Sequence, residues 1–336
     1  VYKYAEHPST EVLVLCYRFG HDGPVHVWIP LEQIPREARP LKKRLDKESQ
    51  VYVQLEMPDD LREWIEDGRE LRAWNAMFER VVLRELGRTD RLDWPNVPNN
   101  QWFCTMAKAG AHALRQGLGD CAKDTGRHPK DETGKMTMLQ LCKPRKPSKH
   151  DQATRWWIDA YPAKYRILYH YCMDDVRAES DLDKYIPELS PGERKAYQLD
   201  QVINDRGIAI DLDTVASAQV LTKEYKRRLS DKCHQMTGVR PGQTAALAEW
   251  IRSYYPIENL QKATVAEALA DPEIPGQVAQ VLKIYTTFNM KAVSKYPAME
   301  KATCRDGRLR GMFRYHSAST GRWSSVIVQL QNLFRS

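Results

Sequence analysis

The feature that most constrains the fold is a change of pattern at Pro187-Glu188-Leu189-Ser190-Pro191-Gly192. Before it, short β-prone runs alternate with amphipathic helical stretches; after it, helical periodicity continues with hardly a strand. The alternating half reads as an open α/β sheet flanked by helices and the second half as mainly helical. We place the domain boundary there, giving residues 1–187 and 188–336. A chain of 336 residues is long enough for each part to bury a core.

In the first part, 11–19 and 25–29 are strand-like and flank Gly20-His21-Asp22-Gly23, which predicts a hairpin. A helix is predicted over 59–67, with Asp59 or Asp60 near its cap, then a strand over 70–74. Asn75 caps a helix to about Leu86, with Phe78, Val81, Val82 and Leu86 on its apolar face. Residues 117–152, rich in Gly, Lys, Asp and Pro, read as a solvated loop, and their basic run 143–149 is able to track a nucleic-acid strand. A long helix follows over 163–183. In the second part helices are predicted over 193–205, 213–236, 244–254, 265–269 and 275–303, with a short extended piece at 208–210. Lys223, Lys226, Arg227, Arg228 and Lys232 make the polar side of the 213–236 helix basic, a solvated face that also offers phosphate contacts.

Lys plus Arg outnumber Asp plus Glu by 51 to 44, a net charge of +7 that suits a polyanionic partner and is also common among ordinary soluble proteins. The seven cysteines form no Cys-x-x-Cys pair and no zinc-like spacing with histidine, so unpaired thiols in a reducing compartment are expected. No apolar run is long enough to span a bilayer, and no signal-peptide pattern opens the chain. A soluble, cytoplasmic protein without a membrane partner is expected.

Two constellations carry chemistry. Asn75 and Glu79 sit at a predicted strand-to-helix junction, where open α/β sheets commonly meet a ligand. A capping Asn and a first-turn Glu are also what helix starts prefer structurally. Tyr171 and Asp175 are four apart and share one helical face, so a carboxylate can hold a metal while a phenol orients water; Asp174 points elsewhere. The same spacing also occurs in an ordinary amphipathic helix. Asn75-Ala76-Met77-Phe78-Glu79 and Tyr171-Cys172-Met173-Asp174-Asp175 resemble the second and third motifs of DnaQ-like 3′–5′ exonucleases. The resemblance implies a ribonuclease H-like sheet, with Glu79 and Asp175 as metal ligands and Tyr171 as a catalytic partner. It also implies Mg2+ or Mn2+ in a two-ion site and a single-stranded 3′ end as substrate. The family's first motif, Asp-x-Glu on the central strand, is expected upstream of Val1. The two-ion site is therefore expected to be incomplete in this chain, with little exonuclease activity.

Between 311 and 335, Arg314, His316, Thr320, Arg322, Ser324, Ser325, Gln331 and Asn332 crowd into a segment whose apolar residues keep no sustained period. Such side chains reach phosphate oxygens and minor-groove acceptors, as would those of a plain polar loop. Thr320-Gly321-Arg322-x-Ser324-Ser325 followed by Gln331-Asn332-Leu333 resembles the primer-template segment of family A, DNA polymerase I-type, DNA polymerases. Val328 and Phe334 stand where many relatives have proline. The resemblance places Arg322 in the minor groove at the primer terminus, with Ser324, Ser325, Gln331 and Asn332 along the template-primer path. Residues 199–211 resemble the entry to that family's polymerase region. Lys130-Asp131, Gly134-Lys135 and Lys143-Pro144-Arg145 look like an element of its bacteriophage branch. It implies a DNA-replicating, proofreading polymerase that is present here in part, with primer-template DNA as partner. The second domain would be the thumb. Palm and fingers are absent and would follow Ser336, so synthesis by this piece is not expected. A stand-alone 3′–5′ exonuclease and a non-catalytic DNA-binding module are the alternatives; binding without metal-dependent turnover marks the latter.

Overall fold

The computed structural model describes residues 1–128, 134–318 and 320–329. They pack as two compact units, Val1–Gly207 with Arg310–Val326, and Ile208–Leu309 with the residues from Ile327. The packing division therefore lies at Gly207, beyond the change of sequence character at Pro187.

The first unit is mixed α/β. After the short α1 (Tyr2–Ala5), β1 (Leu15–Tyr17) pairs antiparallel with β2 (His26–Ile29), Cys16 opposite Val27, as the hairpin reading predicts. Helix α2 (Arg39–Leu45) carries the chain to β3 (Gln50–Val53), parallel to β2. In α3 (Asp59–Glu66) the N-cap is Pro58, and Asp60 accepts the Tyr17 hydroxyl at 2.8 Å and the Tyr52 hydroxyl at 2.7 Å, tying the helix to β1 and β3. A separate parallel pair follows: β4 (Leu71–Ala73), α4 (Ala76–Arg88), then β5 (Trp102–Cys104), with Arg72 opposite Phe103. Among the described residues the strands thus form small sheets instead of one continuous sheet.

Helices α5 (Thr105–Ala111), α6 (Leu118–Thr125), α7 (Gly134–Leu141) and α8 (Pro162–Tyr185) complete the layer. The loop expected over 117–152 holds α6 and α7, because Leu118, Cys121 and Ala122, at helical spacing, bury against Ala178 and Leu182 of α8. Further up α8, Leu168, Tyr169 and Met173 pack on Val27, Ile29 and Leu45, so one helix serves two clusters of core. Ser190 caps α9 (Pro191–Arg206), its Oγ accepting the Glu193 amide at 3.2 Å, a contact worth about 1 kcal/mol. Gly207, at φ 62°, ends it with a backbone that side chains rarely adopt.

The second unit is mainly helical. β6 (Ile208–Ala209) pairs antiparallel with β7 (Arg308–Leu309) around α10 (Leu212–Thr237), α11 (Thr244–Arg252), α12 (Lys262–Ala270), α13 (Gly276–Phe288) and α14 (Lys295–Ala302). Leu247, Ile251, Val278, Val281 and Leu282 form its core. The single helix expected over 275–303 is two. Asn289 closes α13 by donating its Nδ2 to the Tyr285 carbonyl at 3.0 Å, and a 3-10 turn, Lys291–Ser294, intervenes. On α10, Arg227 and Arg228 pair with Glu224, so part of the basic face is internally compensated. No described helix is long and apolar enough to cross a membrane. The chain then returns to the first unit, where β8 (Phe313–Arg314) and β9 (Ser324–Ser325) form an antiparallel pair.

Candidate functional site

Asn75 occupies the N-cap of α4, as its position after β4 predicts, but its side chain makes no capping hydrogen bond. Glu79 follows in the first turn, half-buried, with Oε2 shielded from solvent and without a hydrogen-bond partner. Burial pushes its carboxyl up to about 7, and the charge of Glu179 adds to the push. The charge of Glu179, on α8, is thus felt at Glu79 on α4.

On α8, Tyr171, Asp175, Glu179 and Asp183 recur every fourth residue, a gently turning stripe. Tyr171 is buried and Asp175 half-buried. Asp175 lies near Cys16 of β1, where its charge adds to burial and the Cys172 contact in pushing up the thiol. Glu179, one turn on, is the residue that sequence reading missed; its only signal there is the continued four-residue spacing. Burial pushes it up to about 7, against a hydrogen bond at 2.5 Å from the Thr105 hydroxyl. Asp183 is the opposite case. Burial raises it, but Lys108 Nζ at 2.7 Å, His21 at 2.9 Å and Arg72 at 3.1 Å bring it below its ordinary value. The stripe therefore runs from a carboxylate anchored by cations at Asp183 to one at Glu179 that burial pushes up.

The Tyr171 ring is set by a close approach of α7. A Cβ on Gly134 would stand 2.5 Å from Tyr171 Cδ2. Gly134→Ala is expected to displace the ring or α7 and to cost about 1–3 kcal/mol, readable as a lower urea midpoint. An unchanged midpoint would show that the contact relaxes freely.

The segment expected to meet DNA is placed on the first unit by buried polar contacts. Asn204 of α9, 1% exposed, accepts the Phe313 amide at 2.9 Å and donates to the Phe313 carbonyl at 3.1 Å. Asp200, pushed up to about 7 by burial, holds the Asn204 amide from the other side at 3.1 Å. Tyr315 donates to Glu193, and Gln116 Nε2 to the Tyr315 carbonyl at 3.0 Å. Asn204→Ala is expected to cost about 1–3 kcal/mol and to speed hydrogen exchange at the Phe313 amide; unchanged exchange would refute the anchoring.

On the β8–β9 hairpin so anchored, Arg314, Thr320 and Arg322 are exposed, and His316, at φ 47°, lies 3.3 Å from Glu193. The Ser324 hydroxyl contacts that of Ser317, and Ser325 is buried, so of the two serines only Ser324 is partly open to a ligand. Gln331 and Asn332, like Lys130 and Asp131, lie outside the described residues.

Among the described residues no three His, Cys, Asp or Glu side chains converge as a metal-binding set. In kind, the oxygen-only pair Glu79 and Glu179, with an orphaned and shielded Oε2, suits a hard cation such as Mg2+ or Mn2+. In number, the pair is short of a complete set.

No known family profile matches the chain. Its sequence is 32% identical over 343 residues to the DNA polymerase of Bacillus phage SP02. The chain is a homologue of a phage DNA polymerase. The match takes in 99% of this chain and 48% of the relative, so the polymerase homologue spans about half of that protein's length. Its fold also aligns with the polymerase domain of Pol1 from M. smegmatis, solved in complex with DNA primer-template and dNTP. That alignment has a TM-score of 0.48 and 16% identity, over 83% of this chain and 46% of that one.

Proposed function

We propose that this polymerase homologue is part of a family A, bacteriophage-type DNA polymerase, and that its first domain is a 3′–5′ proofreading exonuclease. The observation that carries the reading is the 32% identity to a phage DNA polymerase over 99% of the chain. The exonuclease part is supported by the shielded, unpartnered carboxyl oxygen of Glu79, by the charge of Glu179 felt there, and by the four-residue stripe of Tyr171, Asp175 and Glu179 on α8. Glu79 and Asp175 would be the residues to hold such a cation, and Tyr171 would orient the attacking water. A bound Mg2+ or Mn2+ supplies Lewis-acid stabilisation of the phosphodiester and lowers the pKa of water. Asn75, its side chain not used in capping, meets the single-stranded 3′ end. Arg314, His316, Thr320, Arg322 and Ser324 contact the primer-template backbone, and the second domain grips the duplex as a thumb.

Because fewer than three metal-ligating side chains converge among the described residues, turnover by this chain alone is expected to be slow. The test is single-turnover degradation of a 5′-labelled single strand with excess protein and Mg2+. Glu79→Gln or Asp175→Asn is expected to slow it by about 100-fold or more. Equal rates for the variants would refute the exonuclease reading. Strand binding with no metal-dependent cleavage at all would favour the second reading, a non-catalytic DNA-binding module.

A further inference from the structure

The first unit holds a cleft of about 810 Å3 lined by the turn after β1, the end of α6 and the last turns of α8. Four of its lining side chains are the cations Arg18, Arg127, Arg177 and Lys184, against two carboxylates, Asp22 and Asp181. Lys184 is paired with Asp22 at 2.9 Å, and Arg127 sits over the Tyr185 ring, 3.9 Å from Asp181. The two histidines there are also engaged, His21 with Asp183 and His128 with Asp174, both at 2.9 Å.

Arg18 and Arg177 are different. Arg18 donates to the Gly23 carbonyl, while its Nε is shielded and has no partner. Among the described residues Arg177 makes no hydrogen bond or ion pair. Burial and then the nearby Arg177, against the pull of Asp22 and Glu179, hold the Arg18 guanidinium below its usual value. Two guanidinium groups that feel each other repel, Asp22 and Glu179 compensating Arg18 only in part, and an anion between them would remove that cost.

We propose that Arg18 and Arg177 form a phosphate-binding site in this cleft, receiving phosphate groups of a single DNA strand or of the mononucleotide released from it. The planar fork of arginine matches two phosphate oxygens at once, and the cleft is of ordinary ligand size. Glu179 lies two residues from Arg177 on α8, and its charge reaches Arg18. A phosphate held by Arg18 would therefore lie within reach of the charge of Glu179. The bearing of that on cleavage rests on the exonuclease reading; the binding itself does not.

The experiment is arginine modification by phenylglyoxal in EDTA, quantified peptide by peptide, with pentathymidylate or thymidine 5′-monophosphate as protecting probe. Arg18 and Arg177 are expected to react about 5-fold more slowly with a probe bound, while exposed Arg36 keeps its rate. Protection by pentathymidylate alone assigns the site to the strand backbone, and protection by the monophosphate as well assigns it to the product too. Protection by neither overturns the site. In the companion variant Arg177→Gln, which breaks no hydrogen bond or ion pair among the described residues, pentathymidylate binding should weaken about 5–10-fold, with a log–log salt slope shallower by about 0.7. Unchanged affinity and slope in a folded Arg177→Gln protein would also overturn it. Since no metal is present, loss of the exonuclease reading alone leaves these outcomes untouched.

Discussion

Replacing Asp205 with alanine is expected to destabilise the protein by about 3–5 kcal/mol, the cost of stranding a buried charge. Arg80 is only 2% exposed and reaches Asp205 through both terminal nitrogens, at 2.6 and 3.0 Å. Arg84 adds two more contacts at 3.0 and 3.2 Å, and the Tyr2 hydroxyl donates at 2.6 Å. Among the described residues, Arg80 without the carboxylate keeps only the neutral acceptors of Asn99 and Gln201. Burial by itself would raise the Asp205 carboxyl, but the hydrogen bonds and charges of Arg80 and Arg84 hold it far below the ordinary range. A carboxylate with a depressed folded-state pKa contributes stability that is complete above its unfolded value near 4 and is lost as pH falls through the folded one. The gap between wild type and Asp205→Ala in urea titrations should accordingly be constant from neutral pH to about 4 and shrink below it. A gap under about 1 kcal/mol at neutral pH would mean that Arg80 finds other compensation. Arg80→Met combined with Asp205→Leu should recover part of the loss, because it removes charge and counter-charge together.

Nothing in the sequence marks Asp205 as such a centre. It reads as one more polar residue near a helix end, and its partners come from α1 and α4. Local pattern was informative where local physics decides. The β-prone runs flanking Gly20–Gly23 predict the β1–β2 hairpin, the position of Asn75 predicts the N-cap of α4, and the helices over 163–183 and 193–205 appear with only small shifts at their ends. It failed where tertiary burial decides. Leu118, Cys121 and Ala122 make a helix out of a stretch whose Gly, Lys and Asp content suggests a loop, because α8 offers them a face. The same limit hid Glu179. Its four-residue step from Asp175 is visible in the sequence, but its approach to Glu79 depends on how α4 and α8 pack.

Glu79 and Glu179 set the second large effect, and its sign is opposite to that of Asp205. Both folded-state values stand at about 7, above the ordinary value of 4.5. Between those values the folded protein holds protons that the unfolded chain releases, so stability is complete below about 4.5 and falls as pH rises through about 7. Glu79→Gln should therefore be nearly neutral at pH 5 and stabilising by roughly 1–3 kcal/mol at pH 8, allowing for its partial exposure. Glu179→Gln should follow the same course, since its amide oxygen can still accept from Thr105. Parallel pH profiles for variant and wild type would show that burial does not hold these carboxyls protonated. If burial does hold them so, a divalent cation should relieve what protonation relieves. Millimolar Mg2+ or Mn2+ should raise wild-type stability at pH 8 by about 1 kcal/mol or more, have much less effect at pH 5, and be nearly without effect on Glu79→Gln. A cation response that is equal at both pH values and in both proteins would place the metal elsewhere, because only competition with these two protons gives the response its pH dependence.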